Sequence, residues 1–155
     1  ASAVATFVGQ NYGAKNYDRI AKTYKIVLSN ILILGGIITV IFVFFPRPLY
    51  GIFFKDEKMI TLGISYLSIV GFSQLFMCAE ITTSGAFNGM GKTLQPTLIS
   101  IIFTSLRIPI ALILIPLLGL NGIWWSISLT SIAKGILVVV LFLIVLKKID
   151  VKETK

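Results

Sequence analysis

The chain has 155 residues, of which 56% are hydrophobic and only 13% charged, and its mean hydropathy is +0.95. Soluble domains carry about a quarter charged residues, because charge keeps a folded surface wet; this composition belongs to a membrane protein and argues against a water-soluble enzyme. There is no histidine and a single cysteine, Cys78. The chain therefore lacks an imidazole for a Ser-His-Asp triad, a proton relay or a zinc site, and lacks a thiol pair for a disulfide, so neither a metal nor a cofactor is expected. The formal charge of +8 is spread around apolar spans and does not form one patch. Its expected partner is an anionic lipid surface, not nucleic acid.

Taken in order, residues 1–9 read as the tail of a helix whose start is missing, and the abrupt apolar opening at Ala1 suggests the C-terminal piece of a longer protein. Residues 16–25 form a basic helix start, with Asn16 as N-cap and Lys15, Arg19 and Lys22 spaced by four and three, suited to a helix entering the membrane along the headgroups or to a solvated first turn. A hydrocarbon core of about 30 Å needs roughly 20 helical residues, and four stretches supply them. The first, 26–46, has no charge and ends at Pro46-Arg47-Pro48. Its Ile, Val and Phe content would suit a strand, but a lipid-exposed segment has to satisfy its own backbone, which selects helix. The second, 59–88, is interrupted by Glu80; the third, 93–118, by Arg107; the fourth, 122–146, by Lys134. Pro96 fits a first helical turn and Pro109 predicts a kink.

Glycine-rich turns at 89–92 and 118–122 are short enough to force antiparallel neighbours. The expected fold is thus all-α, a polytopic membrane bundle of about four full transmembrane helices plus a partial one, with a tail at 147–155. Nine basic residues fall on one side (Lys15, Arg19, Lys22, Lys25, Lys92, Lys147, Lys148, Lys152 and Lys155) against three on the other (Arg47, Lys55 and Lys58). The positive-inside rule puts the nine, and with them both chain ends, in the cytoplasm.

Charges within apolar spans are costly and are candidate functional groups by default. At about 1.5 Å per residue, Glu80 lies roughly 12 Å from the basic side, and Arg107 and Lys134 roughly 18–20 Å. Glu80 is the one carboxylate within the spans. It could carry a proton or sodium ion, or pair with Arg107 or Lys134 to hold helices together. Its helical neighbours Ser73, Phe76, Met77, Thr83, Ser84 and Phe87 suit a large, partly apolar cation. On the third span Thr97, Ser100, Thr104 and Arg107 form a polar stripe that serves either helix packing or a substrate path. Gly85-Ala-Phe-Asn-Gly89 and Gly9-Gln-Asn-Tyr-Gly13 have the GxxxG spacing of close helix contacts. The stretch from Ala86 to Thr93 resembles a Walker phosphate loop, but Ala86 replaces the first glycine and a helix precedes it where a strand is required. An ion gradient is a better energy source than nucleotide hydrolysis by this chain.

Several motifs then occur in a telling order: Thr6-Phe-Val-Gly9-Gln10-Asn11-Tyr-Gly13-Ala14-Lys-Asn16, Gly85-Ala-Phe-Asn-Gly89-Met-Gly91-Lys-Thr93-Leu-Gln-Pro96, Arg107-Ile-Pro109-Ile-Ala111 and Gly119-Leu-Asn-Gly122-Ile-Trp124. Together they resemble the multidrug and toxic compound extrusion (MATE) transporters over the whole chain. The resemblance implies twelve helices in two lobes, of which residues 1–14 would be the end of helix eight with its VGQ-x-x-GA loop, and the four spans helices nine to twelve. It implies a multi-pass protein of the prokaryotic cytoplasmic membrane with a cytoplasmic C-terminus, missing the N-terminal helices that would be its partners. The implied activity is export of drugs and other organic cations in exchange for H+ or Na+ by alternating access. Gly9, Gln10, Gly13, Ala14, Gly85, Gly89, Gly91, Pro109 and Gly122 then serve as hinge and packing positions. An acidic position used by some members on the tenth helix aligns near Met77, one turn before Glu80.

Three other readings compete: a lipid-linked oligosaccharide flippase of the same superfamily, for which Arg107 and Lys134 speak; a four-helix small multidrug exporter; and a membrane subunit that only packs against partners. An embedded enzyme is the weakest, because Cys78 and the scattered hydroxyls lack a base other than Glu80.

Overall fold

The computed structural model describes residues 1–153, with side chains described through Ile149. Six helices follow in order: α1 (Ser2–Gly13), α2 (Tyr17–Phe44), α3 (Pro46–Phe53), α4 (Glu57–Gly89), α5 (Leu94–Leu118) and α6 (Leu120–Glu153). There is no strand among the described residues. Helices α2, α4 and α5, and α6 through Ile149, are long and apolar enough to cross a membrane. Lys155 and the side chain of Lys152 lie outside the described residues.

The element boundaries follow from local chemistry. Helix α1 runs through the VGQ motif to Gly13, so the segment expected as a loop is the helix's last turns. It ends in a Schellman turn: Asn16 N–H donates to the Asn11 carbonyl and Lys15 N–H to that of Tyr12, with Lys15 in the left-handed region at φ +56°. The α4–α5 connection repeats this with glycine in the left-handed position. There Gly91 has φ +70°, and Lys92 N–H donates to the Phe87 carbonyl. Asn16 precedes α2, but its side chain makes no capping bond; the basic segment and the first span are one continuous helix of 28 residues. Pro46-Arg47-Pro48 ends that span as expected and also starts something. Pro46 opens α3, because proline lacks only the N–H that a first helical residue would leave unpaired. Asp56 caps α4 by accepting from Lys58 N–H at 2.9 Å. Helix α5 continues through Pro109 and Pro116 to Leu118.

The four long helices form a row in the order α2, α4, α6, α5, with α1 lying against α4 and α2 and α3 against α4. Hydrocarbon provides no hydrophobic drive between helices, so close packing of small residues has to supply the contact. Glycines mark each crossing. A Cβ on Gly85 would lie 2.7 Å from the Ala1 carbonyl oxygen, one on Gly89 would run into the Ala5 carbonyl, and one on Gly9 would be 3.1 Å from the Gly89 carbonyl. Gly35 brings α2 onto Cys78 of α4, and a Cβ on Gly122 would lie 2.6 Å from the α5 backbone at Leu114. Gly13 has open space around it.

A compact core sits at the end where α1, α2, α4 and α6 converge: Val8, Ile20, Tyr24, Ala86, Phe87, Met90, Val138, Phe142 and Leu146. The Phe142 ring is tilted on Tyr24 at 4.4 Å and edge-on to Phe87 at 5.0 Å. Away from this core, Ile33, Phe44, Ile108 and Leu112 stay exposed, as lipid-facing residues should.

Candidate functional site

Glu80 lies on α4 and Lys134 on α6. The two helices run side by side in the same direction, and the residue next to Lys134 lets them touch: a Cβ on Gly135 would be 2.6 Å from the Phe76 carbonyl oxygen. That contact puts Lys134 about five residues, ~7.5 Å, before Glu80 along the pair, a distance the two side chains span together. The Lys134 amine reaches Glu80 Oε1 at 3.1 Å, with the side chains only 12% and 14% exposed. Of the two partners open to Glu80 from sequence, the structure selects Lys134.

Arg107 turns from α5 toward α6 and finds hydroxyls instead. Its Nε donates to Thr130 Oγ1 at 3.3 Å and its Nη2 to Ser131 Oγ at 3.4 Å. It has no carboxylate partner among the described residues. Thr130 Oγ1 in turn donates to the Ser126 carbonyl at 2.7 Å. One turn away, Ser128 is fully buried and its hydroxyl has no partner among the described residues. Among the described residues, the three ionisable groups that interrupt the apolar runs thus form one ion pair and one guanidinium hydrogen-bonded to hydroxyls.

The remaining sequence candidates separate by position. Met77 is half-buried and its sulfur accepts from Ser73 Oγ at 4.0 Å; Ser84 is also half-buried. Phe87 is fully buried in the core against Phe142, so it packs helices together. Of the polar stripe on α5 only Arg107 engages α6; Thr97 and Thr104 are exposed, and Thr97 Oγ1 is returned to the Thr93 carbonyl at 2.8 Å. Gly85, Gly89 and Gly122 sit at helix crossings and Gly91 at a left-handed turn. Gly9 faces Gly89, whereas Gln10, Gly13, Ala14 and Pro109 are exposed.

Two features escaped sequence reasoning. The first is the hydroxyl ladder of α6, Ser126, Ser128, Thr130 and Ser131, all buried. Its residues at three and four positions would have flagged it, just before Lys134. The second is the buried hydrogen bond between Tyr24 and Thr83 at 2.8 Å, tying α2 to α4. No pattern on either helix alone announces that pair.

Long apolar helices laid in a row, with charges sealed between them, define a multi-pass membrane helical bundle. The MatE family model matches residues 1–113, from α1 to beyond Arg107 and Pro109. The chain is 29% identical over 144 residues to the probable multidrug resistance protein NorM of Thermotoga maritima, a match covering 91% of this chain and 31% of that protein. It is 25% identical over 125 residues to the probable multidrug resistance protein YoeA of Bacillus subtilis, covering 79% of this chain and 27% of the relative. The chain belongs to the MatE family, and it spans less than a third of the length of these relatives.

Proposed function

We propose that these helices form part of the C-terminal lobe of a secondary multidrug or organic-cation efflux antiporter, coupled to H+ or Na+ and working by alternating access between two lobes. Family membership and the names of the two relatives support the efflux reading. The single observation that carries the mechanism is the Glu80–Lys134 pair. A carboxylate in a low-dielectric interior has to be neutralised, and three agents can do it here: the Lys134 amine, a proton, or an incoming cation. They exclude one another at the same oxygens. Exchange among them is the elementary step antiport requires, with Met77 and Ser84 on the approach and Phe87 holding the helices behind it. The excess of basic residues at the α2 and α6 core end supports a cytoplasmic placement of both chain ends.

The test uses the protein reconstituted in vesicles with ethidium as substrate. Efflux is expected to follow an imposed proton or sodium gradient and to stop in Glu80→Gln. Efflux unchanged in Glu80→Gln would remove Glu80 from the mechanism, and efflux indifferent to both gradients would remove antiport.

Arg107 supports a second reading, a flippase for lipid-linked oligosaccharides, because a guanidinium met only by hydroxyls can receive a phosphate. In that case Arg107→Gln would abolish translocation of a pyrophosphate-linked lipid, and ethidium would not be transported at all.

A further inference from the structure

At the core end of the bundle a cleft of about 210 Å³ opens between α2 and α6. Its floor is apolar, built from Ala21, Leu143 and Leu146, and its rim carries Lys25 and Asp18 from α2 and Lys147 from α6. Both lysines are exposed, and neither is paired with a carboxylate among the described residues.

The position of the two lysines along their helices gives the cleft its meaning. Lys25 is the last charge before the uncharged run 26–46, and Lys147 is the first charge after the uncharged run 135–146. Two helices that run in opposite directions thus each bring the charge that ends an uncharged run to the same groove. Below the rim the groove continues onto exposed apolar residues, Ile26 on α2 and Val140, Leu143 and Ile144 on α6. A phosphodiester at the rim with an acyl chain on the floor meets each of these features, and basic pockets between transmembrane helices are known to hold such headgroups. Among the described residues, Asp18 leaves the rim with a net charge of +1, which matches the single negative charge of a phosphodiester better than the higher charge of a phosphomonoester.

We propose that this cleft is a binding site for an anionic glycerophospholipid, its phosphodiester held between Lys25 and Lys147 and bridging α2 to α6. The site does not depend on the transport reading.

Native mass spectrometry of the protein exchanged into mixed phosphatidylglycerol and phosphatidylcholine nanodiscs tests this. Phosphatidylglycerol is expected to stay bound in preference to phosphatidylcholine. In Lys25→Gln/Lys147→Gln its retention falls roughly tenfold or more, since each surface lysine contributes about a kcal/mol toward an anionic headgroup. The Lys25→Arg/Lys147→Arg variant keeps the lipid, which separates loss of charge from misfolding. Lys22→Gln/Lys148→Gln, on the same two helices but outside the cleft, also keeps it. Equal loss in that control would mean diffuse attraction to the basic surface and would overturn the site. So would displacement of the lipid by free glycerol 3-phosphate, because the occupant would then be a soluble phosphate.

Discussion

The Glu80–Lys134 contact puts a full ion pair where each partner alone would be expensive. Removing one partner from a buried pair costs about 3–5 kcal/mol, because the survivor is left charged and uncompensated. Glu80→Gln and Lys134→Met should therefore each lower the unfolding midpoint in detergent, and the double variant should be more stable than either single one. A double variant that shows the sum of both losses would mean that the pair contributes no coupling. Lys15 offers a simpler case. It holds φ +56° with a side chain that prefers otherwise, and the left-handed conformation costs a non-glycine residue roughly 1–2 kcal/mol. Lys15→Gly is expected to raise stability by about 1 kcal/mol, measurable as a higher midpoint in the same assay. The signal for these residues in the sequence was uneven. Glu80, Arg107 and Lys134 were legible because a charge in an apolar run is conspicuous. Which cation meets Glu80 was not, because the depth of a residue along its helix says nothing of the direction its side chain takes.

Among helices, the crossings depend on glycine because lipid offers no competing reason to associate. Gly135 is the example beside the ion pair: a Cβ there would press on the Phe76 carbonyl at 2.6 Å. Gly135→Val should push α6 away from α4, break the Lys134 contact and destabilise the bundle by about 3 kcal/mol, the upper end of the usual cost of overpacking. Gly36, with nothing within 4 Å of its missing Cβ, is the matched control, and Gly36→Ala should be neutral or slightly stabilising. Disulfide trapping between cysteines placed on α4 and α6 would report the separation. The spans themselves were legible from runs of uncharged residues. The GxxxG spacing of Gly9 and Gly13 was legible, and Gly9 does approach Gly89, but Gly13 has open space around it and the VGQ-x-x-GA loop implied by resemblance is helical as far as Gly13.

For the molecule as a whole, the uneven distribution of charge predicts one orientation. With Cys78 replaced by Ala, a cysteine at Lys148 should react with a membrane-impermeant maleimide only after cells are permeabilised, and one at Lys55 should react in intact cells. The reverse pattern would invert the topology and place the lipid cleft in the outer leaflet. At this scale the row α2, α4, α6, α5 is less a soluble core turned inside out than a set of pairwise contacts. Only the end joined by α1 has a continuous core, so unfolding should begin at the opposite, aromatic end near α3.

Composition and spacing on their own determined that this chain resides in a membrane, how many times it can cross, which end is basic and which charges are sealed inside. Those properties follow from the solvent, which tolerates neither free backbone groups nor stray charge, and so leave their mark on every stretch of sequence. Only the tertiary structure decided that Lys134 and not Arg107 neutralises Glu80, that Phe87 is core, that Thr97 and Thr104 of the α5 stripe face outward, and that Lys25 and Lys147 flank one cleft. Each of these depends on how a helix is rotated about its axis and how closely a glycine lets its neighbour approach, and a single helix read alone carries neither quantity.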